Sequence, residues 1–208
     1  MQKSNYEIMR DQMQEQFLQY DQSSMIRKFN LHADETYLYI RFWGRNYRIV
    51  RNTGVVEWLS DGIVIPGNYN ESMSIYDVLC CSKPDCHLAG NFMPSSSLKG
   101  IVHTGFKVGG GSMFRKAADD FDAVSPEQLA AACEALGGKS EGRGDVAYRL
   151  QMFDFLPVLF SFWKSDEDFP SEINLLFDEN ILSYMHYETI WFAAGHLIAR
   201  LREELTRS

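Results

Sequence analysis

The sequence predicts a single α+β domain over residues 1–208, a mainly antiparallel sheet flanked by helices. Three observations carry this. Apolar residues alternate with period two between Thr36 and Leu59, the mark of strands with one buried face. Two apolar runs, residues 155–163 and 173–177, are too short for helices and rich in aromatic and branched side chains, so they are expected as central strands buried on both faces. Both ends of the chain instead repeat apolar residues every three or four positions, as amphipathic helices do.

Taken in order, residues 1–20 form an N-terminal helix with the stripe Tyr6, Met9, Met13, Phe17 and Tyr20. The segments TYLYIRFW, NYRIV and VVEWL follow, separated by Gly44-Arg45 and Asn52-Thr53-Gly54, and read as a three-stranded antiparallel meander. Asp61-Gly62 and Pro66-Gly67-Asn68 make a loop, and Ser72 caps a short helix over 73–81. Residues 82–100, with Pro84, Gly90, Pro94 and three consecutive serines, are the longest irregular segment and a candidate lid or boundary. A strand is expected at 101–108, ended by Gly109-Gly110-Gly111, then a helix from Ser112 to about Asp120. Ser125-Pro126-Glu127-Gln128 opens the next helix and Gly137-Gly138 closes it. Residues 139–147 read as a polar loop. After the two central strands the chain ends in a helix over 187–205, with Ile190, Ala194, Leu197, Leu201 and Leu205 inward.

Composition bounds the function. No apolar run approaches the ~18 residues that span a bilayer, and the N-terminus carries no hydrophobic signal core, so a cytoplasmic protein away from membranes is expected. A net charge of −8 argues against a nucleic-acid partner, because a phosphate backbone selects a basic surface. That charge is uneven: residues 150–199 hold eight carboxylates and one Lys. Arg41, Arg45, Arg48 and Arg51 lie among the meander's aromatics, a pattern that single-stranded nucleic acid can use. A solvated sheet face paired with acidic neighbours agrees better with the overall charge. Four cysteines in a chain without a secretion signal read as thiols.

Four groups could carry chemistry. Cys80, Cys81, Cys86 and His87 offer metal-ligand atoms, but adjacent cysteines on a helix diverge by about 100°, so core thiols are the preferred reading and no metal is expected. Gly110, Gly111 and Ser112 at a helix start could take an anion on free backbone N–H groups, although three glycines also make a plain connection. Asp166, Glu167, Asp168 and Glu172 crowd one inter-strand loop that could hold a hard cation, yet such loops are usually only solvated. His186 and Glu188 flank the start of the last helix, where His186 belongs to the cap. His196 falls on that helix's polar face with Arg200 and Glu203, so exposure is expected. Gly138-Lys139-Ser140 imitates a phosphate loop but has Cys133 where the first Gly is needed.

The segments LGG (136–138), GDVAY (144–148), FDFLPV (153–158), FW followed by DEDFP (162–170), LLFD (175–178) and MHYET (185–189) together resemble the prokaryotic family known as domain of unknown function 3786, over roughly residues 70–205. The resemblance implies a chain of about this length from anaerobic bacteria or archaea, and faintly a corrinoid or redox setting. It implies no activity.

The reading is therefore a cytoplasmic binding or accessory domain without catalysis of its own and without a cofactor, whose partner is a small molecule or a protein. The alternative is an enzyme or cofactor-handling protein of anaerobic metabolism. The charge imbalance adds one geometric expectation: at least one of the four meander arginines pairs with Asp166, Glu167, Asp168 or Glu172. Failing that, the acidic loop becomes the leading candidate site.

Overall fold

The computed structural model describes residues 4–99 and 111–207, and at its centre is a nine-stranded sheet in which every pair of neighbours is antiparallel. The N-terminal part contains α1 (Asn5–Phe17), α2 (Gln22–Phe29), β1 (Tyr37–Phe42), β2 (Arg45–Val50), β3 (Val56–Ser60), β4 (Ile63–Pro66), α3 (Tyr69–Cys81) and β5 (Phe92–Pro94). It continues with α4 (Gly111–Asp122), α5 (Pro126–Ala135), β6 (Lys139–Ser140), β7 (Val146–Phe153), β8 (Leu156–Trp163), β9 (Glu172–Asp178) and α6 (Tyr187–Arg207). The strand order is β4-β3-β2-β1-β7-β8-β9-β5, with β6 beside β7. This is the α+β, single-domain, mainly antiparallel architecture that the patterning predicts.

The sheet has two halves, and they barely touch through the ladder. β1 meets β7 at one pair, Phe42 with Phe153, and the Trp43 N–H donates to the Met152 carbonyl at 3.0 Å. Ring packing does more. Phe42 stacks on Phe153 (4.8 Å), Phe153 on Phe155 (5.5 Å) and Phe155 on Phe29 of α2 (4.1 Å). Burying one such ring contributes ~1.5–3 kcal/mol, against ~1 kcal/mol net for one hydrogen bond. The turn beside this join, Trp43-Gly44, has φ of 44° and 76°. A left-handed Trp is costly, and it is held by its indole N–H donating to the Ala193 carbonyl of α6 at 2.8 Å. Gly44 has no substitute, because a Cβ there would lie 2.8 Å from the Leu136 backbone.

The helices cover one face. α6 packs on α3 and α5, α1 on α3, α5 on β7 and α4 on β9. Beneath them lie Leu38, Ile40, Tyr47, Ile49, Leu150, Val158, Phe160 and Phe162. β8 is central, as expected, but it is not buried on both faces: from Val158 onward its residues alternate, and Trp163 is exposed.

Several boundaries differ from expectation. The N-terminal helix stops at Phe17, and Asp21 caps the separate α2; of the expected stripe, Phe17 is buried and Met13 packs on the core, while Tyr6, Met9 and Tyr20 are exposed. α3 is capped by Asn68, not Ser72, because Asn68 and Glu71 form a reciprocal capping box (3.1 and 2.6 Å). β4 lies where a loop is expected, turning at Asp61-Gly62 with positive φ at both residues. The irregular 82–100 segment contributes β5, and the buried Asp178 carboxylate pins it by accepting the Ala89 and Gly90 N–H groups at 3.0 and 2.8 Å. β7 adds a central strand beyond the two expected. The strand expected at 101–108 lies outside the described residues.

Candidate functional site

α3 and α6 pack along a common seam, and each end of it holds a carboxylate from α3 beside a histidine, one within α6 and one at its cap. At the inner end Glu71 meets His196. Contrary to the helical-wheel expectation, His196 is 2% exposed. The polar face of α6 lies against β2, which turns Arg45, Tyr47 and Ile49 inward in register.

Glu71 is the hub. One carboxylate oxygen closes the α3 capping box, and the other accepts the Tyr47 hydroxyl at 2.7 Å and Arg45 Nη1 at 3.3 Å. Because the Tyr47 proton is directed to Glu71, its oxygen accepts from His196 Nε2–H at 3.0 Å, which sets the neutral tautomer. Burial, with Arg45 and Arg200 alongside, drops the His196 pKa to about 3. Burial and Glu71 push the Tyr47 hydroxyl well above its ordinary value. Arg45 also pairs with Glu203; Arg200 pairs with Glu203 and, at 2.9 Å, with Glu204. Arg207 joins through Glu204 at 3.1 Å, so three cations and three carboxylates share one partly buried network. Such a network specifies geometry more than it adds stability.

The network opens to solvent through a cleft. β2 and β3 pair at three positions, Tyr47–Trp58, Arg48–Glu57 and Ile49–Val56, and then part, leaving Arg45 and Asn46 opposite Leu59 and Ser60 without a ladder. The space is about 860 Å³, lined by Tyr39, Arg45, Arg48, Trp58, Asp61 and Arg207 among others. The Arg45 guanidinium lies 3.8 Å from the Trp58 ring centre, and Arg48 lies 4.2 Å over Tyr37 while pairing with Glu57 at 2.7 Å.

At the outer end of the seam Asp77 meets His186. The carboxylate accepts the His186 backbone N–H at 2.7 Å and approaches the imidazole Nδ1 at 2.6 Å. His186 caps α6, as expected, its carbonyl accepting Thr189 and Ile190 N–H. Cys81 lies one turn beyond Asp77, beside both that carboxylate and the Tyr20 phenol. Burial and Asp77 raise the Cys81 thiol to about 11.

The other predicted groups fare differently. Cys80, Cys86 and His87 do not join Cys81: Cys80 is partly buried and raised to about 12, Cys86 is partly buried, and His87 Nδ1 turns to the Asp85 carbonyl at 3.0 Å. All four cysteines are free thiols. Gly110 lies outside the described residues; Gly111 and Ser112 open α4. Glu188 is exposed in the first turn of α6.

The expected pairing of the acidic loop with the meander is wrong. Among the described residues no ion pair within 4 Å joins Asp166, Glu167, Asp168 or Glu172 to Arg41, Arg45, Arg48 or Arg51. Arg45 and Arg48 are taken by Glu71, Glu203 and Glu57, and Arg51 by Gln22 and the Asp34 carbonyl. The loop orders itself instead: Asp166 accepts Asp168 and Phe169 N–H at 2.9 and 2.7 Å, and Lys164 Nζ caps the carbonyls of Asp122 and Val124. Nor do its carboxylates converge on a common ligand position among the described residues.

This protein combines an α+β fold with a seam of two acid–histidine pairs and a cleft lined by arginines and aromatic rings. It belongs to the family described as Domain of unknown function (DUF3786), whose model matches residues 21–200. No curated protein and no solved structure matches the chain. Among the described residues, no helix is long and apolar enough to cross a membrane.

Proposed function

We propose that this is a cytoplasmic binding domain, without catalysis of its own, whose cleft between β2 and β3 takes a small anionic molecule bearing a planar ring. The observation that supports it is the parting of the two strands. It opens a volume in the range of small-ligand sites, lined by Arg45, Arg48, Arg207, the Trp58 and Tyr39 rings and a single carboxylate, Asp61. Guanidinium groups and aromatic faces together suit a ligand with both an anionic and a flat part.

Titration with an aromatic sulfonate and with a nucleoside monophosphate, read by tryptophan fluorescence, tests this. Saturable quenching that falls at least ~10-fold in apparent affinity in Arg48→Ala, about 1.4 kcal/mol, is expected. Binding that Arg48→Ala and Trp58→Leu leave unchanged would count against the cleft. The alternative, a cofactor-handling protein or enzyme of anaerobic metabolism, would gain from a chromophore in protein purified without oxygen.

A further inference from the structure

We propose that Asp77, Cys81 and His186 bind one divalent transition-metal ion, with zinc best suited to the donor set. One donor atom from each of the three lies within 4.8 Å of the others, and no other such group occurs among the described residues. Asp77 and Cys81 are four apart on α3 and so share a face, and His186 is delivered by the N-terminus of α6. Bonds of about 2.0–2.3 Å to a tetrahedral zinc place neighbouring donors roughly 3.3–3.7 Å apart, so a small rotamer adjustment closes the set. His186 and Cys81 are exposed and free to make it, while the Asp77 side chain is held in place, 9% exposed.

Capping α6 does not account for this arrangement. A cap needs the Asp77 contact with the His186 backbone N–H; it does not need the imidazole turned back on the same carboxylate or a thiol beside it. Thiolate, imidazole and carboxylate together select zinc or cobalt over calcium or magnesium, which prefer oxygen alone. Three protein ligands leave a fourth position toward solvent for water or an exchangeable anion, the composition of an open site and not of a closed structural one. The site lies at the opposite end of α6 from the Arg207 side of the cleft, about 30 Å along the helix, so it stands or falls independently of that reading.

The test uses the full chain, chelator-treated under reducing conditions and titrated with cobalt(II), then with zinc. One equivalent of cobalt should produce a thiolate-to-metal charge-transfer absorbance that zinc abolishes. Cys81→Ser should lose the absorbance, His186→Ala should weaken binding at least ~10-fold, and Cys86→Ser should change neither. No charge-transfer absorbance at stoichiometric cobalt, its survival in Cys81→Ser, unchanged affinity in His186→Ala, or its loss in Cys86→Ser would each overturn the proposal. Both altered ligands are exposed, so circular dichroism should be that of the parent protein.

Discussion

His186, which caps α6, and His196, ten residues further along, each meet a carboxylate from α3, yet their surroundings are opposite. His196 is buried with Glu71 among Arg45, Tyr47 and Arg200, its Nε2 bonded to Tyr47 and the Glu71 carboxylate shared by Tyr47, Arg45 and the Asn68 N–H. His186 is 65% exposed at the side chain, with Asp77 behind it and a thiol alongside. The same pair of residue types therefore does two different jobs. Where water is excluded, the pair is one part of a network that fixes how α3, α6 and β2 sit together. Where water reaches it, the pair is worth little as a stabiliser and is available to a ligand.

The largest expected effect follows from breaking the inner end at its hub. Glu71→Ala strips one of the two carboxylate partners from a buried Arg45, leaves the Tyr47 hydroxyl without its acceptor and removes half of the α3 capping box. A loss of about 3–5 kcal/mol in denaturant unfolding is expected, the combined cost of breaking a buried ion pair, leaving a buried hydroxyl unsatisfied and losing a helix cap. A loss under ~1 kcal/mol would mean that the network is wet and the contrast between the two ends is false.

His196 supplies the second test. Its folded pKa, about 3, lies below the ordinary 6.5, so between those values the unfolded chain binds the proton and the folded one does not. Stability must then fall as pH falls through that window, by at most about 1.4 kcal/mol per pH unit. At pH 7 both states are neutral and the effect vanishes. His196→Gln should flatten the slope between pH 6.5 and 5, above the range where most carboxylates titrate; equal slopes in the two proteins would show that His196 reaches solvent.

These two histidines also show what the sequence could and could not disclose. The meander, the Ser125 cap, the last helix and the central place of β8 were legible because turn residues and hydrophobic period are local signals. β7 carried a signal as well, Val146, Tyr148, Leu150 and Met152 alternating with Ala147, Arg149 and Gln151, but the more apolar run beside it masked the period. His196 was misplaced because a helix's polar face is exposed only if nothing polar is built to cover it. Arg45, in phase with Tyr47 and Ile49 on the meander's buried face, was the available clue that such a cover exists. Asp77 and Cys81 share a helical face by their spacing, but that His186, more than a hundred positions later, completes the group depends on how α3 docks on α6. No local pattern carries that.

Tyr47→Phe probes the network more gently. The Glu71 carboxylate keeps Arg45 and Asn68, while His196 Nε2–H loses its acceptor. A cost of about 1–2 kcal/mol is expected, that of one buried donor left unsatisfied. If Tyr47→Phe instead proves neutral, Glu71, 3.5 Å from His196 Nε2, has taken over as acceptor.

The smallest effect belongs to the outer pair, and its smallness is informative. A double-mutant cycle of Asp77→Asn and His186→Ala isolates the side-chain coupling from the capping contact, since the substituted amide still offers an oxygen to the backbone N–H. With His186 mostly exposed, coupling below about 1 kcal/mol is expected in metal-free protein, shrinking further in salt. Zinc changes the arithmetic. An ion that binds the folded chain and not the unfolded one adds about 2.7 kcal/mol at a free concentration a hundred times Kd, and both substitutions remove a ligand to it. The parent protein should therefore gain that stability on adding zinc, and the double mutant should not. A coupling that is already large without metal would make the outer pair a structural element like the inner one. A small coupling that zinc leaves unmoved in the parent would show that an exposed acid–histidine pair beside a thiol is, here, only a helix cap.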